Sequence, residues 1–282
     1  MSRWRRSSVR GLVVATHLGP TVAVTTIATI LCLGAGLGRT TVLVTATVLA
    51  GQFSVGWSND LLDARRDLAA ARTAKPVVAG LVTTRQLRWA AMSAGALSIG
   101  ISLSLGWRAA VVNALGLCSA WSYNLGLKAT VASPLPYAAS FALLPALITM
   151  SLPAHSWPRP VAMVAAACLG VGAHFINTIK DVDADRTTGV RGLPQRLGPR
   201  ASLLIGAGAL AAALAAIVLL APAQRWSTWV LASVAVGADV LVIFDALRGS
   251  GRRAWSWTLV SALCCVVLFA SSGSALVATA SG

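Results

Sequence analysis

The sequence predicts an all-α integral membrane protein, with nine transmembrane helices arranged as two parallel four-helix repeats plus one helix. Three observations predict it. Hydrophobic residues make up 56% of the 282 residues and charged residues only 11%, against about 25% charged in an ordinary soluble domain. Apolar runs of about 20 residues recur along the chain, each long enough to cross about 30 Å of hydrocarbon as a helix. The few acidic residues, finally, fall in two clusters that repeat.

The nine runs are 12–36, 40–58, 87–106, 109–127, 134–152, 160–179, 202–221, 227–247 and 255–277. In the first, Gly19-Pro20 is expected to kink the helix, with neighbouring groups satisfying the freed carbonyl. The start, "MSRWRRSSVR", leads into an apolar stretch too long for the core of a cleavable signal and has no convincing cleavage site. Residues 1–11 therefore read as a basic cytoplasmic N-terminus and 12–282 as a single transmembrane domain. Arg3, Arg5, Arg6 and Arg10 need do no more than hold the first helix's start in the cytoplasm.

A net charge of +15 raises nucleic acid as a partner, but its placement excludes that reading. With the N-terminus inside, nineteen of the 23 Lys and Arg residues fall in cytoplasmic segments, leaving only Arg39, Arg108, Arg159 and Arg225 opposite. That bias orients a membrane protein without any ligand. Trp107, Trp157, Trp226 and Trp229 fall at the outer ends, where interfacial anchors belong. Cys32, Cys118, Cys168, Cys264 and Cys265 lie inside apolar runs without metal-ligand spacing, and read as small core residues.

The chain has eight carboxylates, all aspartate. Asp60, Asp63 and Asp67 lie in "SNDLLDARRD" and Asp181, Asp183 and Asp185 in "NTIKDVDADR"; only Asp239 and Asp245 lie elsewhere. Asn59, Asp63 and Asp67 match Asn177, Asp181 and Asp185 at a constant offset of 118 residues. The repeat halves are about 12–127 and 134–247, with 255–277 as the last helix. Both clusters face the cytoplasmic side, as parallel repeats about an axis along the membrane normal require.

Within each cluster the spacing of four stacks residues along one helix face, drifting only about 40° per turn. Three stacked carboxylates repel one another and need positive charge between them. Magnesium suits such a site: it takes hard oxygen ligands and is commonly held by one or two carboxylates plus substrate phosphates. No closely spaced ligand loop suggests calcium, and the stripes offer zinc neither Cys nor His. Arg72, Lys75, Lys128, Lys180, Arg186 and Arg191 stand where they would meet phosphate oxygens. Asp183 lies off the stripe and reads as a solvated loop acid.

At these residues the chain resembles the UbiA-type intramembrane prenyltransferases. "NDLLDARRD" is similar to their NDxxDxxxD signature and "NTIKDVDAD" to their second motif, NxxxDxxxD. "RTAKPVVAG", "YNLGLK" and "DRTTGVRGLPQRLG" resemble the segments around those motifs, although Tyr123 and Lys128 stand five residues apart where four is common. The resemblance implies a helical bundle around a large central cavity, with two Mg2+ ions and a prenyl diphosphate under a cytoplasmic cap. It implies metal ligation by Asn59, Asp60, Asp63, Asp67, Asn177, Asp181 and Asp185. Lys75 and Lys128, together with Arg72, Lys180 and Arg191, would contact the diphosphate. Tyr123 would join Asp63, Asp67, Asp181 and Asp185 in catalysis, near the departing allyl group.

The expected reaction is Mg2+-dependent transfer of an isoprenoid from a prenyl diphosphate to an aromatic, quinone-precursor or other lipophilic acceptor, with the lipid bilayer as surroundings. The alternative is a UbiA-type terpene cyclase that uses no acceptor. A cation transporter is a third reading, opposed by both stripes lying on one side rather than at the midplane. His17, Gln52, Asn113 and His174 are the main polar residues within the apolar runs, and each either faces an acceptor or joins helices. Asp239 and Asp245 belong to no constellation in the sequence. The stripe geometry makes a direct prediction: Asp181→Asn nearly abolishes magnesium-dependent diphosphate release while membrane insertion persists, and Asp183→Asn is mild. Equal damage from the two would refute the stripe.

Overall fold

A computed structural model describes residues 3–179, 189–220, 226–248, 253–271 and 276. The described residues form α1 (Arg3–Val14), α2 (Leu18–Gly34), α3 (Thr40–Ala69), α4 (Thr84–Ser104), α5 (Trp107–Leu125), a 3-10 turn (Leu127–Ala129), α6 (Pro134–Met150) and α7 (Pro160–Ile179). After these come α8 (Leu193–Leu197), α9 (Pro199–Leu220), α10 (Trp226–Leu247) and α11 (Ala254–Ser271). Each apolar run of the sequence contains one long helix. By length and composition, α3, α7, α9 and α10 qualify as membrane spans on their own, and the bent pair α1–α2 qualifies together.

The long helices form a closed ring. Each packs on its neighbour in chain order from α2 through α7, α7 passes to α9, and α11 returns to α2. Small residues allow the close approaches. A Cβ on Gly56 of α3 would lie 2.7 Å from the Thr16 carbonyl oxygen, and one on Gly170 of α7 would lie 2.6 Å from that of Tyr137. Such contacts replace hydrophobic driving force between helices where the solvent is itself apolar.

Several boundaries differ from expectation in ways that shape the site. The second helix does not stop at 58; α3 continues to Ala69. Its polar final turns are sustained by ion pairs with neighbouring segments, so the whole first acidic cluster is helical. The bend in the first run lies at Ala15–His17, ahead of Gly19-Pro20. His17 is in the left-handed region (φ 54°), and Ser8–Val14 meets Leu18–Gly34 at 61°. Pro20 falls in the first turn of α2, where a missing N–H removes no helical bond.

Asp245, near the end of α10, accepts hydrogen bonds from the Arg253 and Ala254 N–H groups at 3.0 Å each, satisfying free donors at the start of α11. Asn113 donates to the Ser98 and Ser102 hydroxyls of α4 at 3.0 and 3.2 Å, so its amide joins helices. Cys32, Cys264 and Cys265 are buried, but Cys118 is exposed on the outside of α5 and is not a core residue. At Gly100, in α4, an added Cβ meets nothing within 4 Å. Gly56→Ala is therefore expected to lower the melting temperature in detergent, consistent with about 1–3 kcal/mol of overpacking. Gly100→Ala is expected to leave it unchanged or raise it.

Candidate active site

The first stripe is assembled on the last three turns of α3. Asp60, Asp63 and Asp67 are 3%, 7% and 1% exposed, and ionised carboxylates buried to that degree require partners. Asp60 Oδ1 accepts from Lys75 Nζ at 2.8 Å and lies 3.0 Å from His17 Nε2. Asp63 Oδ1 accepts from Lys128 Nζ at 2.5 Å, and its Oδ2 from Arg66 at 2.9 Å. Asp67 lies 3.4 Å from Arg72 NH1. Asn59 Oδ1 accepts from Lys128 Nζ at 3.3 Å.

Two loops carry those cations. Lys75 follows the end of α3 in a series of tight turns, in which Arg72 N–H bonds to the Asp67 carbonyl and Lys75 N–H to the Arg72 carbonyl. Lys128 lies in the 3-10 turn after α5. Burial pushes its ammonium below the ordinary lysine range, against the opposing pull of Asp63. Gly192, ahead of α8, packs so closely against the Lys128 carbonyl that a Cβ has no room. This contact sets the segment after the second motif beside the first.

Beneath the stripe lies an apolar chamber of about 370 Å³. His17, Asn59, Tyr123, Asn124 and Asn177 line it, with Ile27, Leu144, Leu169 and Phe269 among its apolar walls. A side cavity of about 100 Å³ between α3, α5 and α6 shares Gln52, Val55, Ala120 and Phe141 with it. Tyr123 thus stands in the chamber wall. Asn124 donates to the Ser58 hydroxyl at 2.8 Å and to the Val55 carbonyl at 3.0 Å, tying α5 to α3 beside the stripe.

Asn177 lines the same chamber from α7, and its Oδ1 is buried without a hydrogen-bond partner among the described residues. Lys180, Asp181, Asp183, Asp185 and Arg186 lie outside the described residues. Arg191 is exposed, and its carbonyl accepts from Arg196 Nε at 2.8 Å. Among the described residues no three His, Cys, Asp or Glu side chains converge as a metal cluster. The donors on offer are oxygens: Asn59, Asp60, Asp63 and Asp67 on α3, and across the chamber from Asn59 the Asn177 Oδ1, which has no hydrogen-bond partner among the described residues. That set fits a hard divalent cation.

Sequence reasoning placed His17 inside the first helix and left its role open. The bend ahead of α2 swings it onto Asp60 instead. Tyr137, unnoticed in the sequence, also lines the chamber. It lies 11 residues beyond Gly126 with no polar residue directly beside it to mark it, and only packing reveals it. Asp239 of α10 is 5% exposed, with neither oxygen hydrogen-bonded among the described residues.

A closed ring of helices around a polar-mouthed apolar chamber defines the fold as an intramembrane helical bundle, and comparison with known proteins identifies the family. The UbiA prenyltransferase family profile matches residues 11–258; the chain belongs to this family and is a multi-pass membrane protein. A curated relative, the bacteriochlorophyll synthase 33 kDa chain of Rhodobacter capsulatus, is 28% identical over 196 residues. The match covers 63% of this chain and 62% of that relative's length.

Among solved structures, an apo UbiA homologue from Aeropyrum pernix K1 superposes with a TM-score of 0.66 at 21% identity, covering 86% of this chain and 94% of that one. A UbiA homologue from Archaeoglobus fulgidus, bound to GPP and Mg2+, gives 0.63 at 16% identity, covering 94% and 99%. At these identities the structural likeness shows the fold.

The pairing geometry predicts a measurable coupling. Lys128 is the most enclosed of the cations, with its side chain 11% exposed against 25% for Lys75. Lys128→Gln is expected to destabilise the protein in a denaturant titration by a few kcal/mol, because it leaves Asp63 buried with one cation fewer. Asp63→Asn in that background should restore part of the loss. A coupling energy below about 0.5 kcal/mol would show that the pair is not energetically joined.

Proposed function

We propose that this chain is a Mg2+-dependent intramembrane prenyltransferase, moving an isoprenoid from a prenyl diphosphate to an aromatic, quinone-precursor or other lipophilic acceptor. The observation that carries this reading is the carboxylate stripe of α3, interleaved with Lys75 and Lys128, at the mouth of a 370 Å³ apolar chamber. The family and the Mg2+ and GPP bound to the Archaeoglobus relative support it.

Asn59, Asp60, Asp63 and Asp67 would hold Mg2+ from α3, together with Asn177, Asp181 and Asp185 of the second motif. When bound, the metal supplies positive charge that offsets the charge developing on the diphosphate leaving group. Lys75 and Lys128 would exchange their carboxylate partners for phosphate oxygens, and Arg72, Lys180 and Arg191 would add further diphosphate contacts. Donors held in place before the reaction stabilise the leaving group without reorganising.

The chamber walls exclude water, which would otherwise capture the allyl cation. The side cavity past Gln52 adds room for an isoprenoid tail or an acceptor. In this reading nine helices cross the bilayer, the N-terminus and the capped site face the cytoplasm, and the two halves are parallel repeats. Acceptor-free cyclisation, the alternative read from the motifs, is not favoured by the relatives.

The test uses purified protein in lipid nanodiscs with Mg2+ and a series of prenyl diphosphates, following diphosphate release and extractable products by mass spectrometry. Turnover that depends on both Mg2+ and an added lipophilic acceptor is the expected result. A cyclic product formed without acceptor would overturn transfer in favour of cyclisation. Inertness under every condition would overturn both.

A further inference from the structure

The chamber poses a charge problem that the diphosphate site does not solve. On the prenyl-transfer reading, the C1–O bond breaks and its electron pair leaves with the diphosphate, so an allyl cation forms in the chamber. No carboxylate is among the described residues lining that chamber. Asp60, Asp63 and Asp67 lie at the stripe above, engaged by Lys75, Lys128, Arg66 and Arg72. Whatever stabilises the cation within the walls must be neutral and must not trap it covalently. The face of an aromatic ring meets both requirements, because its quadrupole attracts a cation without forming a bond.

We propose that Tyr137 is a catalytic residue whose ring, at a corner with Tyr123, holds the allyl cation, and that His174 is the residue that positions it. This inference rests on the prenyl-transfer reading above and names a residue that neither motif contains.

Tyr123 and Tyr137 both line the chamber, with ring centroids 5.2 Å apart and planes at 83°. That edge-to-face contact turns the two rings in different directions and makes a corner of two walls. Behind them lies the His174 ring, 4.8 Å from Tyr137 and 5.6 Å from Tyr123. His174 is only 1% exposed and is fixed from its far side: its Nε2 and the Ser133 hydroxyl are 3.1 Å apart, and that hydroxyl also accepts from the Leu193 N–H at 3.1 Å.

The backbone is built to allow this stack. Gly170 lies one turn before His174 on α7, and a Cβ there would sit 2.6 Å from the Tyr137 carbonyl oxygen and 2.8 Å from Phe141 Cγ. Only glycine lets α6 and α7 approach closely enough for the Tyr137 and His174 rings to touch. Tyr123, Phe141 and His174 all contact the Tyr137 ring, with centroids 5.2, 6.5 and 4.8 Å away, so the surroundings hold the ring in place.

In the complete step, the acceptor's nucleophilic atom supplies the electron pair for the new C–C or C–O bond, and its proton passes to the departing diphosphate. The rings neither gain nor lose electrons.

The experiment compares full-length wild type with Tyr137→Phe, Tyr137→Leu, His174→Ala and the Tyr137→Leu/His174→Ala double variant in lipid nanodiscs. Geranyl diphosphate and its 2-fluoro analogue serve as donors, and unreactive geranyl thiodiphosphate as a binding probe. Tyr137→Phe should keep kcat within about twofold. Tyr137→Leu should lower kcat by about 30-fold, the rate equivalent of one desolvated cation–π contact, with thiodiphosphate binding unchanged. It should also widen the rate gap between the parent and 2-fluoro donors. His174→Ala should lower kcat less, and the double variant should be no slower than Tyr137→Leu alone.

Wild-type kcat in Tyr137→Leu overturns the proposal, as does Tyr137→Phe being as slow as Tyr137→Leu, which would assign the role to the hydroxyl. Loss of thiodiphosphate binding in step with kcat would make Tyr137 structural, and also overturns it. If wild type itself releases no diphosphate from any prenyl diphosphate, the prenyl-transfer reading fails first and this inference falls with it.

Discussion

The structure depends on keeping three carboxylates ionised and buried at one end of a single helix. An isolated charge in hydrocarbon costs about 2.5–3.5 kcal/mol by insertion scales, so Asp60, Asp63 and Asp67 on α3 dictate what surrounds them. Lys75 must fold back from the following turns, Lys128 must descend from the end of α5, and His17 must swing inward at the bend between α1 and α2. Three separate segments are thereby pinned to one helix end. The pins also draw in the segment beyond the second motif, since the turn bearing Lys128 packs against Gly192.

On the proposed function, the same arrangement explains how a site for a highly charged ligand persists in a protein with so few charges. Cations that neutralise the stripe are also the cations a diphosphate requires. A ligand carrying both metal and phosphate exchanges one set of ion pairs for another, and no charge is left unpartnered in the process. Below this exchange zone the chamber becomes apolar within about one turn of α3, from Asn59 to Val55. On the proposed reading, polar chemistry at the mouth and carbocation chemistry in the walls are separated by the helical rise alone.

Asp239 and Asp245 show how differently one residue type is used elsewhere in the chain. Asp245 satisfies two N–H groups at the start of α11, which is a local structural role. Asp239 is buried within α10 without a hydrogen bond among the described residues. Neither contributes to the chamber. Asn113 similarly spends its amide on the hydroxyls of α4, whereas Gln52 lines both cavities.

The sequence by itself determined the helical character, the positions of the long helices and the first stripe. Apolar length and four-residue spacing are local properties, and α3 buries Asp60, Asp63 and Asp67 on one face as that spacing requires. It also determined the family, because the paired motifs are contiguous. Only the tertiary structure decided which cation meets which carboxylate, that α3 runs on to Ala69, and that His17 reaches Asp60 from a left-handed bend rather than a proline kink. It alone made a wall of Tyr123, Tyr137 and His174. Those outcomes depend on close approaches at Gly56, Gly170 and Gly192 between segments far apart in sequence. Such approaches are set by the absence of a side chain on one helix and the shape of another, and no spacing within a single segment records them.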